Sequence, residues 1–107
     1  MAVDINESEL RESIGNSKKP MVIDFYAVWC GPCRASEPIF KEFSEKNSDN
    51  LDFYKVDVDK NRFIAQEFGI KNIPTFVVLE EGEIKKKFIG AATREKLDDL
   101  ISEYSSN

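Results

Sequence analysis

At 107 residues the chain is long enough for one hydrophobic core, and its 41% apolar and 33% charged residues are those of an ordinary globular protein. A net charge of -5 argues against non-specific binding to nucleic acid or to an anionic membrane, which needs basic patches, and no apolar run approaches the roughly 18 residues of a membrane-spanning helix. Histidine is absent, so no imidazole serves as base, proton shuttle or metal ligand.

The N-terminus, Met1-Ala2-Val3-Asp4-Ile5-Asn6-Glu7, has neither the basic region nor the apolar core of a secretory signal, so a cytoplasmic location is expected. Ala2 to Ile5 reads as a short first strand. Asn6-Glu7-Ser8-Glu9 has the form of a capping box, a side-chain acceptor followed three residues later by Glu. Leu10 and Ile14 then share a helical face, and Gly15-Asn16 closes the helix. Met21 to Tyr26 is an apolar run interrupted only by Asp24, the pattern of a strand buried on both faces. Cys33 to about Asn47 reads as a helix with Ile39, Phe40 and Phe43 on one side and a kink at Pro38. After a turn at Ser48-Asp49-Asn50, Leu51 to Val58 is a second central strand. Asn61 to Phe68 makes a short helix stopped by Gly69. Thr75 to Glu80 and Glu83 to Ile89 pair as a hairpin through Glu81-Gly82. Thr93 caps a last helix that carries Leu97, Leu100, Ile101 and Tyr104 on one face.

The order β-α-β-α-β-α-β-β-α predicts an α/β protein. A central mixed sheet of four to five strands is flanked by about four helices, and residues 1–107 form a single domain. Lys85-Lys86-Lys87 reads as edge-strand lysine that discourages sheet-to-sheet pairing. Phe25, Phe40, Phe43, Phe53, Phe63, Phe68, Phe76 and Phe88 are assigned to the core, and Asp59 to fixing the loop after its strand.

The chemistry concentrates in Cys30-Gly31-Pro32-Cys33, preceded by Trp29. These are the only two cysteines, set between a strand and a helix. The placement fits a reversible dithiol–disulfide pair at a helix N-terminus. A secreted disulfide scaffold needs more cysteines. Structural zinc wants four ligands, and the chain offers two sulfurs and no histidine, so only a cluster shared between two chains would hold the metal.

The chain resembles the thioredoxin family over nearly its whole length. The resemblance rests on Asp24-Phe25-Tyr26-Ala27-Val28-Trp29-Cys30-Gly31-Pro32-Cys33, Pro38, Lys55-Val56-Asp57-Val58-Asp59, Ile73-Pro74-Thr75, Gly82 and Gly90. A lone Cys-x-x-Cys would be weak; with Ile73-Pro74-Thr75 beginning forty residues beyond Cys33 it is specific. The resemblance implies a thioredoxin domain that reduces disulfides in protein substrates. It implies a thioredoxin reductase as electron donor and no cofactor beyond the Cys30–Cys33 pair. A monomer is expected.

Cys30 precedes the helix, near unpaired N–H groups and the positive end of the helix dipole, which favour its thiolate. Cys30 is therefore assigned as attacking thiolate and Cys33, within the first turn and more buried, as resolving thiol; the family order agrees. Pro32 fixes the helix start, and no positive side chain between the cysteines stabilises the thiolate further, which points to a reductant. Disulfide-isomerase domains of the same fold usually carry histidine there. Asp24, inside an apolar strand, is expected to have a raised pKa suited to a general acid or base. By resemblance it sits behind Cys33 and takes its proton, with Lys55 on the next strand as its charge partner; the alternative is a buried polar pair of structural use only. An Ile73–Pro74 bond is expected to be trans from sequence alone, whereas the family implies a cis bond facing the cysteines. Trp29, Gly31, Pro32, Ile73, Pro74, Gly90 and Ala91, with Thr75 at the strand start, then make a flat, mostly apolar substrate face.

Departures from the family also stand out. Tyr26 occupies a place where many relatives have a second tryptophan, and Arg62 one where a proline is frequent. Arg34-Ala35-Ser36-Glu37 replaces residues that are often bulkier and apolar, with Arg34 and Glu37 open to tuning partner choice. Three competing readings are a more oxidising or isomerising enzyme of the same fold, a binding module whose redox chemistry is incidental, and the shared metal cluster.

Overall fold

A computed structural model of the chain describes residues 2–104; Met1 and residues 105–107, the ends of the expected domain, lie outside the described residues. The elements in chain order are β1 (Val3–Asp4), α1 (Glu7–Asn16), β2 (Met21–Tyr26), α2 (Gly31–Lys46), β3 (Asp52–Asp57), α3 (Arg62–Glu67), β4 (Thr75–Glu80), β5 (Glu83–Ile89) and α4 (Arg94–Ile101). The five strands form one mixed sheet in the order β1-β3-β2-β4-β5. β1 and β2 each run parallel to β3, while β4 is antiparallel to β2 and β5 to β4. This is the α/β architecture the pattern of strands and helices predicts.

Alternation along the central strands builds a core on each face. Val22 on β2 and Phe76 and Val78 on β4 pack with Phe40 and Phe43 of α2 and Leu97, Leu100 and Ile101 of α4. Ile23 and Phe25 on β2 and Val77 and Leu79 on β4 pack on the other face with Leu10 of α1 and Ile64 of α3. The Phe40 ring lies 5.6 Å from those of Phe53 and Phe76, and Phe76 stacks on Phe88 at 4.8 Å.

Local signals account for most element ends. Asn6 and Glu9 form the reciprocal capping box, with Glu9 N–H donating to Asn6 Oδ1 at 2.8 Å and Asn6 N–H to Glu9 Oε1 at 2.9 Å. α1 ends at Asn16 on an extended Ser17 rather than on a left-handed glycine. Thr93 caps α4 through Lys96 N–H. The hairpin turn places Glu81 at φ 52° and Gly82 at φ 80°, the left-handed pair that matches the twist of two-residue hairpins.

Two expectations are corrected. The active-site helix begins at Gly31 rather than Cys33, because Cys30 itself acts as the N-cap and Pro32 is accommodated in the first turn. Phe63 is not a core residue: it is 77% exposed. α3 is only six residues long and turns Ile64 and Ala65 inward, so Phe63, one residue before Ile64, falls on the outer side.

Candidate active site

The site is assembled at the end of β2, where the chain leaves the sheet and enters α2. Cys30 is extended (φ -86°, ψ 113°), and its sulfur accepts the Cys33 N–H at 3.2 Å. The two sulfurs are at disulfide-bonding distance, with Cα atoms 5.2 Å apart. The expected contrast in burial is slight, Cys30 being 5% and Cys33 4% exposed. What separates the two is therefore position in the helix: Cys30 Sγ lies at the N-cap and receives a backbone donor, whereas Cys33 supplies that donor.

Trp29, 67% exposed, flanks the pair. Its indole N–H donates to Asp59 Oδ2 at 2.7 Å. Asp59 itself is placed by Asp57, whose Oδ1 accepts the Asp59 N–H at 2.9 Å. Fixing the β3–α3 loop, expected of Asp59, thus falls to Asp57, and Asp59 holds the tryptophan instead.

The Ile73–Pro74 bond is cis. Ile73 packs against the small cluster of Ala27, Cys30 and Cys33. Gly90, at φ 107°, donates its N–H to the Pro74 carbonyl at 2.9 Å, in a conformation that favours glycine. Gly31, Pro32 and Ala91 are exposed, and Ile73 and Gly90 are half-buried. Pro74 and Thr75 are buried, and the Thr75 hydroxyl donates inward to Asn72 O at 2.5 Å. Of the residues expected on the substrate face, Trp29, Gly31, Pro32, Ile73, Gly90 and Ala91 reach the surface, whereas Pro74 and Thr75 are buried.

Behind the cysteines, Asp24 is 1% exposed, and its Oδ1 has no hydrogen-bond partner among the described residues. Burial pushes its carboxyl up to about 7; Lys55 opposes that shift, and Glu37 and Asp4 add to it. A cavity of about 280 Å³ lies between Asp24, Cys33, Glu37 and Lys55. Asp24 and Lys55 are register partners on β2 and β3, as neighbours should be. Yet the Lys55 ion pair is made with Glu37, Nζ to Oε1 2.9 Å, while the ammonium sits 4.5 Å over the Tyr26 ring. Lys55 is not in direct contact with the Asp24 carboxylate: the long lysine side chain reaches past its strand neighbour to the helix. Tyr26 donates its hydroxyl to Asp4 Oδ2 at 2.6 Å across β3; burial and that acceptor push its phenol up. Arg34 donates to the Val28 carbonyl at 2.9 Å, bracing the loop before the cysteines.

The thioredoxin family profile matches residues 1–103. The chain belongs to the thioredoxin family. It is 46% identical over 91 residues to a thioredoxin of Aspergillus fumigatus, covering 84% of this chain and 82% of that one. It is 43% identical over 93 residues to thioredoxin H3 of Arabidopsis thaliana, covering 87% and 78%. Against the chloroplastic M-type thioredoxin of Spinacia oleracea, 36% identical over 103 residues, the match takes in 96% of this chain but only 57% of the relative's length. Among solved structures, a thioredoxin from Nicotiana alata superposes with TM-score 0.89 at 34% identity, covering 98% and 93% of the two chains. One from Malassezia sympodialis gives 0.88 at 37%, covering 99% and 92%. Thioredoxins are protein-disulfide reductases. With its cysteines at bonding distance, this thioredoxin is a thiol–disulfide oxidoreductase.

Proposed function

We propose that this thioredoxin reduces disulfides in protein substrates with Cys30 as the attacking thiolate and Cys33 as the resolving thiol. The observation that carries the assignment is the Cys33 N–H directed at Cys30 Sγ at the start of α2. A donor and the positive helix end favour a thiolate there. Cys30 S⁻ attacks one sulfur of the substrate disulfide, a mixed disulfide forms, and the other substrate sulfur leaves as a thiolate. Cys33 then loses its proton and attacks Cys30 Sγ; the Cys30–substrate bond breaks, the second substrate thiolate leaves, and the intramolecular disulfide closes. Substrate gains the two electrons that the cysteine pair loses.

Asp24 is the proton acceptor for Cys33. A carboxyl titrating at about 7 is half ionised near neutrality and suits a proton that must be taken and later returned. The cavity shared by Asp24 and Cys33 supports transfer through water rather than by direct contact. Lys55 moderates the carboxylate electrostatically, while its own partner is Glu37. Trp29, Gly31, Pro32, Ile73, Pro74, Thr75, Gly90 and Ala91 form the substrate site, Pro74 and Thr75 through backbone and framework.

The remaining functional picture is of a monomeric cytoplasmic electron carrier, residues 1–107 acting as a single domain, re-reduced by a thioredoxin reductase and using no redox group besides the cysteine pair. The test is the reduction potential of that pair, set by equilibration in dithiol buffers and read from Trp29 fluorescence. A value near about -270 mV, characteristic of thioredoxins, supports the reductase; a value above about -200 mV overturns it in favour of an oxidase or isomerase.

A further inference from the structure

Ser36 occupies a place unlike that of any other hydroxyl near the site. It is fully buried, one turn beyond Pro32 on α2. Its hydroxyl donates to the Pro32 carbonyl at 2.7 Å, and the same oxygen accepts the Ala92 N–H at 2.8 Å. Ala92 is itself buried and follows the Gly90-Ala91 segment. One atom therefore joins the turn between the two cysteines to the loop after β5. The other end of that loop is held by Gly90 N–H on the Pro74 carbonyl at 2.9 Å. Three backbone segments around the cysteines are thus joined in series, the cysteine turn to the loop through Ser36 Oγ and the loop to the cis-proline segment through Gly90 N–H.

The chemistry of that oxygen sets Ser36 apart from an apolar residue at the same place. A buried N–H without an acceptor is costly, and Ala92 has its acceptor in Ser36 Oγ. An aliphatic side chain at position 36 would leave the Ala92 N–H unpaired unless the loop moved. A serine at mid-helix ordinarily satisfies itself on the carbonyl four residues back, which here is that of Pro32. With its donor committed there, its lone pair is aimed outward at the loop, so the direction of the link is fixed by the helix.

We propose that Ser36 is a positioning residue for substrate, a latch that holds the Gly90–Ala92 loop at a set distance from the Cys30–Cys33 turn. The spacing between that loop and the cysteine turn, across which an extended substrate chain would lie, depends on this hydroxyl. The inference rests on the reading of Gly90 and Ala91 as part of the substrate face. It concerns recognition of polypeptide disulfides, which reach from the cysteines to the loop, and not of small disulfides, which meet only the sulfur.

The test compares Ser36→Ala and Ser36→Thr with the parent protein. In Ser36→Ala, amide exchange at Ala92 accelerates about tenfold, as expected when a buried hydrogen bond is lost. KM for a protein disulfide such as insulin rises several-fold, while reduction of a small aromatic disulfide changes far less. Ser36→Thr, which keeps the hydroxyl, restores slow exchange and low KM. Equal loss on protein and small disulfides, or no change in KM, overturns the latch. The underlying reading is checked separately by trapping a peptide on Cys30 in a Cys33→Ser variant and following the Gly90 and Ala91 amide resonances. If those resonances stay still, the substrate face is wrong and the latch falls with it. If they move while KM of Ser36→Ala is unchanged, only the latch fails.

Discussion

Replacing Asp24 by Asn tests the balance between stability and chemistry at the centre of this fold. The carboxyl is raised from an ordinary 3.8 to about 7 because it is buried. Below pH 3.8 it is protonated whether the chain is folded or not. Between 3.8 and about 7 the folded chain keeps a proton that the unfolded chain has released, so stability falls as pH rises, by about 1.4 kcal/mol per unit. Above about 7 the loss is complete and constant, at roughly 4 kcal/mol. Asn has nearly the same shape and does not ionise. Asp24→Asn is therefore expected to be more stable relative to the parent at pH 8 than at pH 5 by about 2–3 kcal/mol. Urea unfolding of the disulfide form of both proteins at the two pH values measures this as a difference in midpoints at constant slope. A stability difference that is the same at pH 5 and pH 8 would refute the raised pKa. On the proposed role of Asp24 as proton acceptor, the same substitution is expected at neutral pH to slow the second step, in which Cys33 displaces the mixed disulfide, and to preserve the first attack by Cys30. A stabilised protein that resolves slowly is the combined signature; a stabilised protein with unaltered resolution would assign Asp24 to structure alone.

Glu37→Gln removes one of the charges that raise Asp24 and releases Lys55, and both changes favour the Asp24 carboxylate. The Asp24 titration, followed by carboxyl NMR, is expected to move below about 7, and an unmoved midpoint would contradict the placement of Glu37 in the Asp24 field. Stability at pH 5 should hardly change, because Glu37 is half-exposed and such pairs contribute little, whereas at pH 8 it should rise as the Asp24 penalty shrinks. Asp59→Ala frees the Trp29 indole, which is expected to shift its emission and raise KM for protein substrates with little effect on stability; an unchanged KM would separate Trp29 orientation from binding. Asn6→Ala dismantles the capping box of α1 and should cost about 1 kcal/mol in urea unfolding, without altering the reduction potential.

Strands were the most legible part of the sequence. β2 and β4 begin and end where apolar runs meet turn residues, since a strand between two packed layers must be apolar on both sides, while the edge strand β5 follows from the hairpin turn at Glu81-Gly82. Helix boundaries depend on finer chemistry. The sequence pattern starts this helix at Cys33, and only the extended Cys30, capping with its sulfur, makes Gly31 the first helical residue. Phe63 lies outside the core although it is apolar, and a six-residue helix carries too few turns for a periodicity to show which face is buried. Within the site, the cysteines, Trp29, Asp24 and the neighbouring Lys55 follow from motif and strand pattern. The Lys55–Glu37 pair, the Trp29–Asp59 bond and the Ser36 link do not. Each joins residues 18, 30 or 56 apart in the chain, and nothing in their spacing carries the signal. Polar residues at positions where relatives are often apolar, Ser36 and Glu37, were the available hint.

The position of Asp24 follows from counting along one strand. Val22 faces α2 and α4, while Ile23 and Phe25 face α1 and α3. By the same alternation Asp24 is turned toward α2, the helix that carries the cysteines. A shift of one residue in the register of β2 would carry the carboxyl to the opposite face and leave it no route to Cys33. That register is held by pairing on both sides, Asp24 standing opposite Lys55 on β3 and opposite Phe76 on β4. The apolar residues flanking Asp24 thus do more than offset the cost of burying it. They fix the parity that turns it toward α2, and the burial they provide raises its pKa.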